Sequence, residues 1–304
     1  MAQTLEHLTR KNATLTSIRS IVHTMKTLSA INAAPYEQAA HSIEEYHKTL
    51  LQGLAAFVYR SGGISLLTES VQPNTRLLVV FGSDHGLCGN YNELLANTVT
   101  DYTQHHPIAK QHILCVGSRM ANSLLEQDLT PDVILMPPAS ADGVGRLAGD
   151  IVTRIEQLGR GQSLAELAVT LVFTERAEHC YQETATRALL PLDKALLQPA
   201  QRWGSRSLPD YTMNADALLS SLIRNHVFAS VFRASAEAMV TENATRLALM
   251  QQAEQSVDEQ LDAVKQDMSN VRQDEITNEL MDIVIGHLAG VSASVGQKHK
   301  SIKA

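Results

Sequence analysis

The chain has 304 residues, of which 44% are hydrophobic, 19% are charged and only 4% are aromatic, and its formal net charge is −7. A nucleic-acid-binding protein usually presents a basic face, and a single-strand binder also needs aromatic rings on which bases stack. The composition therefore argues against a nucleic-acid partner.

The chain carries no sign of a membrane or secretory segment. No apolar run approaches the ~18–20 residues of a membrane-spanning helix. The first twenty residues lack the uninterrupted apolar region of a secretory signal. Cys88, Cys115 and Cys180 have no metal-ligand spacing, which favours reduced thiols. We predict an intracellular protein that does not insert into a membrane.

The first predicted element is a helix from residue 4 to about residue 59. Its apolar residues recur three, four or seven positions apart, a narrow stripe typical of a coiled coil: Leu5, Leu8, Leu15, Ile18, Val22, Met25 and Leu28. Pro35 stands inside this helix. We expect a kink or break near Ala33 and Ala34, because proline removes a helical N–H and clashes with the preceding turn.

The hydrophobic pattern changes between residues 74 and 192. Short strands are predicted at 76–81, 112–116, 132–136, 169–174 and, weakly, 187–190, and helices between them at 92–105, 119–127 and 147–158. This alternation predicts a mostly parallel, Rossmann-like α/β sheet. The continuous apolar run 77–81 predicts that the sheet is covered on both faces.

A second long helix is predicted from residue 210 to residue 293, a stretch without proline and without glycine before Gly286. At ~1.5 Å per residue it would extend on the order of 120 Å and would need a partner along its length. The N-terminal helix offers about 80 Å. The expected fold is therefore an α/β domain inserted between two helices that form an antiparallel coiled coil.

The predicted boundaries are 1–60 for the first coiled-coil helix, 61–208 for the inserted domain, 209–296 for the second helix and 297–304 for a short basic tail. The part of the second helix that the first cannot cover needs another protein as its partner.

The most distinctive loop follows the first predicted strand and contains Gly82, Gly86 and Gly89. Glycine loops before a helix can cradle phosphate. This one lacks Gly-Lys-Ser/Thr, and its G-x-x-x-G-x-x-G spacing is not the dinucleotide pattern. The sequence favours a structural turn in which the Asp84 side chain hydrogen-bonds the loop. Its residues are Ser83, Asp84, Gly86, Cys88 and Gly89.

No catalytic, cofactor-binding or metal-binding site is predicted. Ser83, Asp84 and His85 are adjacent, but a catalytic triad is assembled in space and adjacency does not indicate one. There is no Gly-x-Ser-x-Gly motif. The histidine cluster at 105, 106 and 112 lacks ligand spacing.

Three segments, in this order, resemble the gamma subunits of F-type ATP synthases. Residues 18–30 (IRSIVHTMKTLSA) are similar to the family's Ile-Thr-x-Ala-Met-x-Met-Val-Ala-Ala run. Residues 83–92 (SDHGLCGNYN) resemble its Ser-Asp-x-Gly-Leu-Cys-Gly-x-x-Asn. Residues 272–284 (RQDEITNELMDIV) resemble its Arg-Gln-x-x-Ile-Thr-x-Glu-Ile/Leu-x-Glu-Ile-Val. Together with the helix–α/β–helix arrangement, the resemblance covers essentially the whole chain.

The resemblance implies a central rotor shaft without an active site or cofactor. In that family the paired helices rotate inside a ring of alpha and beta subunits, and the α/β domain binds the epsilon subunit and stands on the membrane rotor ring of c subunits. It also implies a peripheral location on the cytoplasmic face of the bacterial inner membrane. Residues Met25 and Lys26 would belong to the shaft helix. The residues that would contact a beta-subunit loop are Arg272, Gln273, Thr277 and Glu279.

The sequence departs from the family after Met25, where a basic cluster is usual. Asn32, Ala34 and Pro35 stand near those positions, which is typical of a divergent bacterial form. Two other functions stay open on the residues alone. One is a soluble α/β nucleotide-binding protein with coiled-coil arms, and the other is a coiled-coil adaptor unrelated to ATP turnover.

Overall fold

The secondary structure is known for residues 5–61, 73–159, 166–176, 182–197, 204 and 206–301 from a computed structural model. The elements of these ranges, in chain order, are α1 (Leu5–Ser61), β1 (Thr75–Phe81), α2 (Tyr91–His105), β2 (Lys110–Val116), α3 (Ser118–Leu125), β3 (Val133–Leu135), α4 (Val144–Leu158), β4 (Leu167–Glu175), β5 (Glu183–Leu190), α5 (Lys194–Leu197) and α6 (Ala215–Ser301). Cys180 lies outside the described residues.

The chain divides into two compact units, residues 1–25 with 250–304 and residues 26–249. In the first unit the start of α1 lies against the second half of α6. Arg19 pairs with Asp258 at 2.5 Å, and His23 Nδ1 lies 2.8 Å from Glu254 Oε1. Residue numbers rise along one helix as they fall along the other, which confirms the antiparallel coiled coil. Five buried side chains form its apolar seam: Leu8, Leu15, Val257, Leu261 and Val264.

The second unit contains a five-stranded sheet in the order β3-β2-β1-β4-β5. The first four strands of this order are parallel, and β5 is antiparallel to β4 at one edge. The mostly parallel sheet is thus confirmed. The last strand is longer than predicted, because it begins at Glu183 where a start near residue 187 was expected.

Both faces of the sheet are covered by helices, as the apolar run 77–81 predicted. Leu78 and Val80 point to the side on which α2 and α3 pack. Leu77, Val79 and Phe81 point to the other side, where α4 and α6 pack. The long helix α6 is therefore part of the core of the α/β domain in this unit.

A break at Pro35 is wrong, because α1 continues without interruption from Leu5 to Ser61; a kink there stays a prediction. Proline removes the hydrogen bond to the carbonyl of Ile31, one turn earlier, and its ring crowds that carbonyl. The next residue, Tyr36, is buried, and its hydroxyl donates to the carbonyl of Pro138 at 2.8 Å. Burial raises the pKa of Tyr36 to about 12. We attribute the continuity of the helix to this anchored side chain.

The last helix extends beyond its predicted end. Residues 297–301, which the sequence assigned to a basic tail, belong to α6, whose last residue is Ser301.

Candidate functional site

The glycine loop occupies the position where open α/β sheets usually bind ligands. It follows β1, and the strand order reverses between β1 and β4. In doubly wound folds, ligands bind in the crevice outside the carboxyl ends of the strands at this switch point. A ligand cradle in this fold would therefore lie at this loop.

The loop is held in shape by its own side chains. The Ser83 backbone N–H donates to Asn92 Oδ1 at 2.9 Å, and Asn92 Nδ2 donates to Ser83 Oγ at 2.8 Å. Ser83 Oγ in turn donates to the carbonyl of His85 at 3.0 Å. Cys88 is buried beneath the turn, with its sulfur 3.4 Å from Ser83 Oγ. These bonds support the structural turn.

Two of the predicted turn glycines have different environments. Gly89 has a φ of 62°, the left-handed region that favours glycine, and an added Cβ would lie 3.0 Å from Leu249 Cδ1 on α6. An added Cβ at Gly86 would meet nothing within 4 Å. Gly89 is therefore required by the conformation of the loop, whereas Gly82 is required by packing, since an added Cβ there would clash with Met120 Cβ.

Asp84 bonds to a different element from the one expected. Its Oδ1 accepts hydrogen bonds from Ser118 Oγ at 2.6 Å and from the Ser118 backbone N–H at 3.1 Å. Ser118 opens α3, where unpaired N–H groups and the helix dipole favour a carboxylate. The bond from the Ser118 hydroxyl lowers the pKa of Asp84. The prediction that Asp84 bonds within its own loop is corrected accordingly: it fastens the loop to α3.

The glycine loop is also bonded to α6. The guanidinium of Arg246 donates to the carbonyls of His85 and Gly86, each at 3.3 Å, and pairs with Glu242 at 2.5 Å. Arg246 and Glu242 are both buried. Since arginine stays protonated in proteins, the carboxylate of Glu242 is its counterion. Burial raises the pKa of Glu242, and the charge of Arg246 opposes that effect.

A second group of hydrogen bonds lies one turn earlier on α6. The Tyr91 hydroxyl lies 2.5 Å from Thr174 Oγ1 and donates to the carbonyl of Ala238 at 3.0 Å. Thr174 Oγ1 lies 2.6 Å from Thr241 Oγ1. The single hydroxyl proton of Thr241 also has three carbonyl acceptors within reach, those of Glu237 and Ala238 at 3.0 Å and that of Thr174 at 3.2 Å. We call the five side chains of these two groups the α6 junction: Tyr91, Thr174, Thr241, Glu242 and Arg246.

The α6 junction bonds the glycine loop to the long helix. The carbonyls of His85 and Gly86 accept hydrogen bonds from the buried Arg246. Thr241, Glu242 and Arg246 were not among the residues predicted for a site. Their only signal is a short polar interruption in the apolar pattern of a very long helix.

The second predicted site lies on α6 near its C-terminal end. Arg272, Gln273, Thr277 and Glu279 are all exposed. The Thr277 hydroxyl donates to the Gln273 carbonyl of its own helix at 2.8 Å. Arg272 and Glu279 are two turns apart and lie on the same side of the helix. Among the described residues, no hydrogen bond or ion pair joins these side chains to another element.

We call residues 272–285 the exposed end of α6. The antiparallel pairing places the start of α1 opposite the region around Arg272, so the described part of α1 does not reach the residues beyond it. Six apolar side chains are more than half exposed in this stretch: Ile276, Leu280, Met281, Ile283, Val284 and Ile285.

The predicted shaft residues lie on α1, where Met25 and Lys26 are half-buried.

Within the part of the chain that the structure describes, no three histidine, cysteine or acidic side chains are grouped as metal ligands would be. The same residues include no helix that is both long and apolar enough to cross a membrane.

Comparison with known proteins identifies the family. A family model described as ATP synthase matches residues 4–289. Similar relatives include the ATP synthase gamma chains of Polynucleobacter necessarius, 27% identical over 95% of this chain and 100% of the relative, and of Allorhizobium ampelinum, 25% identical over 93% and 98%.

Solved structures show the same fold. A chain of the OSCP/F1/c-ring part of the Euglena gracilis mitochondrial ATP synthase has a TM-score of 0.61 at 17% identity, with 95% of each chain covered. A chain of that enzyme's rotor has a TM-score of 0.58 at 16% identity and covers 90% of this chain and 98% of the neighbour. Since the family model spans nearly the whole sequence, the chain belongs to the ATP synthase family.

Proposed function

We propose that this chain is the gamma subunit of a bacterial F-type ATP synthase, a central rotor shaft that couples transmembrane ion flow to ATP synthesis or hydrolysis. The observation that carries the proposal is the exposed end of α6, an apolar helix segment that the described part of α1 does not cover. The family match and the relatives named gamma chain support it.

The exposed end of α6 needs a partner that surrounds it. Burying apolar surface contributes roughly 25 cal/mol per Å², so six exposed apolar side chains favour association. At ~100° per residue, their positions spread over about half of the helix circumference, which is wider than the stripe that one neighbouring helix covers. A ring of alternating alpha and beta subunits fits this requirement better than a single partner helix.

The polar side chains of the same segment suit a specific contact. Arg272 and Glu279 can form charge-assisted hydrogen bonds, which are stronger than neutral ones. Together with Gln273 and Thr277, they would bind a loop of the beta subunit. Because all four are exposed, these bonds could be released and formed again as the shaft turns.

The other partners follow from the α/β domain. We propose that this domain binds the epsilon subunit and stands on the ring of c subunits, and that the assembly lies on the cytoplasmic face of the inner membrane. ATP chemistry would belong to the alpha and beta subunits. The bonds between the glycine loop and Arg246 of α6 support a structural role for that loop.

Co-expression with the alpha and beta subunits of the same source tests the shaft. We expect a complex with one copy of this chain per three alpha–beta pairs, whose ATPase activity depends on the chain. Failure to join well-folded alpha and beta subunits would refute the proposal. Stable binding to another partner, without effect on any ATPase, would identify an adaptor.

The beta contact is tested by the double substitution Arg272→Ala and Gln273→Ala. We expect weaker ATP-driven ion pumping in a reconstituted enzyme while the isolated chain stays folded. The matched control is Lys265→Ala with Gln266→Ala, an exposed basic and amide pair further back on α6. Equal pumping by both double variants would rule out the assigned contact.

A further inference from the structure

The α6 junction raises a question that the shaft function alone does not answer. If α6 turns as part of a shaft, the α/β domain must turn with it and must not rotate about the helix axis. Chain connectivity alone does not fix that setting. The contacts between α6 and the sheet must do so.

Apolar packing alone would resist rotation of α6 against the sheet only weakly. On the sheet side, α6 presents Val227, Val231, Ala234 and Ala238 to the core of the α/β domain. Hydrophobic attraction is non-directional. The larger Ile223, Phe228 and Phe232 of α6 also pack, partly exposed, against this core, and their attraction is likewise non-directional. These contacts oppose separation of helix and sheet more than they oppose rotation of one against the other.

The α6 junction supplies the directional contacts. Arg246 binds two successive carbonyls of the glycine loop, and the planar guanidinium restricts the orientations in which both bonds form. Thr241 bonds to the end of β4 through Thr174. On the same stretch of helix, Thr245 Oγ1 donates to Gln182 Oε1 at 3.0 Å.

These bonds start from one face of α6 and end on separate segments of the domain. At ~100° per residue, Ala238, Thr241, Glu242, Thr245 and Arg246 lie within about 140° of the helix circumference, so they share one broad face. Their partners lie in the loop after β1, at the start of α2, at the end of β4 and just before β5. Rotation of α6 would break bonds to all four segments.

We propose that the α6 junction transmits torque between the shaft helix and the α/β domain, with Arg246 and Thr241 as positioning residues. The inference rests on the proposed shaft function. The junction is buried, so water does not compete for its bonds, and each slip of the domain requires them to open together. A purely structural role would change stability and leave coupling intact.

Two conservative variants separate these roles. Arg246→Lys keeps the positive charge beside Glu242 but loses the planar fork that binds two carbonyls. Thr241→Val keeps the shape and loses the hydroxyl. The matched control is Arg224→Lys, also on α6, where the arginine binds Glu156 of α4 at 2.9 Å in an exposed ion pair.

The experiment uses the complete enzyme, reconstituted in lipid vesicles with each variant, and measures the ions pumped per ATP hydrolysed. Losing one hydrogen bond shifts the equilibrium between the engaged and the slipped setting of the domain by about two- to tenfold. We therefore expect this ratio to fall in Arg246→Lys and Thr241→Val, by at most that factor. ATPase turnover should persist, and Arg224→Lys should match the unmodified chain.

Each result decides the proposal. An unchanged pumping ratio in assembled Arg246→Lys and Thr241→Val enzymes would overturn it, while leaving the shaft function in place. Loss of assembly by both variants would also overturn it, in favour of a purely structural role. If only Arg246→Lys fails to assemble, the pumping ratio of the Thr241→Val enzyme decides between torque transmission and a purely structural role. If the unmodified chain neither assembles nor supports pumping, the shaft function and the junction fall together.

Discussion

Two stretches of α6 reverse the usual relation between polarity and burial. In the α6 junction, Thr241, Glu242 and Arg246 are at most 5% exposed. In the exposed end of α6, Ile276, Leu280 and Ile283 are 51%, 58% and 68% exposed. One helix thus buries charges in its middle and exposes isoleucines near its end.

The two stretches differ in where their partners are found. The junction residues find theirs inside the chain, on the loop after β1 and at the end of β4. The exposed end has no partner among the described residues, and its proposed partners are the alpha and beta subunits. The polarity of a helical side chain therefore predicts its burial only when all the partners of the helix are known.

The largest expected effect on stability comes from a substitution in the α6 junction. Arg246→Ala leaves Glu242 buried without its counterion, and removing one partner of a buried pair costs about 3–5 kcal/mol. We expect a loss of that size in the free energy of unfolding, measured by urea denaturation of the isolated chain. Arg272→Ala, at the exposed end, should stay within about 0.5 kcal/mol of the unmodified chain. Similar losses of stability from Arg246→Ala and Arg272→Ala would contradict the difference in burial between the α6 junction and the exposed end of α6.

The next effect concerns another buried polar contact of α6. His226 Nδ1 lies 3.0 Å from His47 Nε2 of α1, beside a cavity of about 370 Å³. Burial, and then the neighbouring His47, lower the pKa of His226 to about 4. Burial and the charge of Arg233 lower the pKa of His47, while Glu44 opposes them. Both histidines are therefore favoured in their neutral form in the folded chain.

This pair predicts loss of stability in acid. The unfolded chain binds the proton near pH 6.5, before the folded chain does, so the contribution of His226 is present above pH 6.5 and is lost as the pH falls towards 4. The loss amounts to about 2–3 kcal/mol. Urea midpoints of the unmodified chain and His226→Gln, compared from pH 7 to pH 4, should show a shallower decline in the variant. Parallel declines would contradict the assignment. The carboxyls with raised pKa, Glu237 and Glu242, are present in both proteins and cancel.

A smaller effect tests how the glycine loop meets the buried stretch. Gly89→Ala would force alanine into the left-handed region, at a cost of about 1–2 kcal/mol, and would press on Leu249 of α6. Gly86→Ala places its methyl group in open space and should change the free energy of unfolding by less than about 0.5 kcal/mol. Thermal denaturation of both variants measures the difference. An equal cost at the two positions would show that conformation is not what selects glycine at position 89.

Most of the architecture was predictable from the sequence, because burial on both faces of a sheet and a coiled-coil seam each impose a period on the residues. The run 77–81 indicated β1, and the spacing of Leu8 and Leu15 indicated the seam. Pro35 misled because a local rule was applied without knowledge that Tyr36 anchors the next turn in the core. The antiparallel direction of β5 also depends on pairing across the sheet, which no local period encodes.

The two candidate sites also differed in how far the sequence alone could indicate them. The contact at the exposed end was predicted from a family motif whose residues lie close together in the sequence, and it stays a prediction. The α6 junction was missed because Tyr91, Thr174 and Arg246 are far apart in the chain and meet only after the sheet has formed. A polar residue on a long helix is more often solvated than buried, so Thr241, Glu242 and Arg246 gave no local signal.

The smallest effect on stability belongs to the exposed end, and it sharpens the comparison most. Ile276→Ala with Leu280→Ala should change the free energy of unfolding of the isolated chain by less than about 0.5 kcal/mol, because both side chains are already more than half exposed. The same double variant should lower the ATPase activity of the complex with alpha and beta subunits, since it removes apolar surface that those subunits would bury. Ile134→Ala, on the edge strand β3, is the control, because Ile134 is 49% exposed but lies in the α/β domain. If the double variant destabilises the isolated chain as much as a core substitution does, Ile276 and Leu280 already have a partner within the chain. In that case only the α6 junction, and not the exposed end, would depart from the usual relation between polarity and burial.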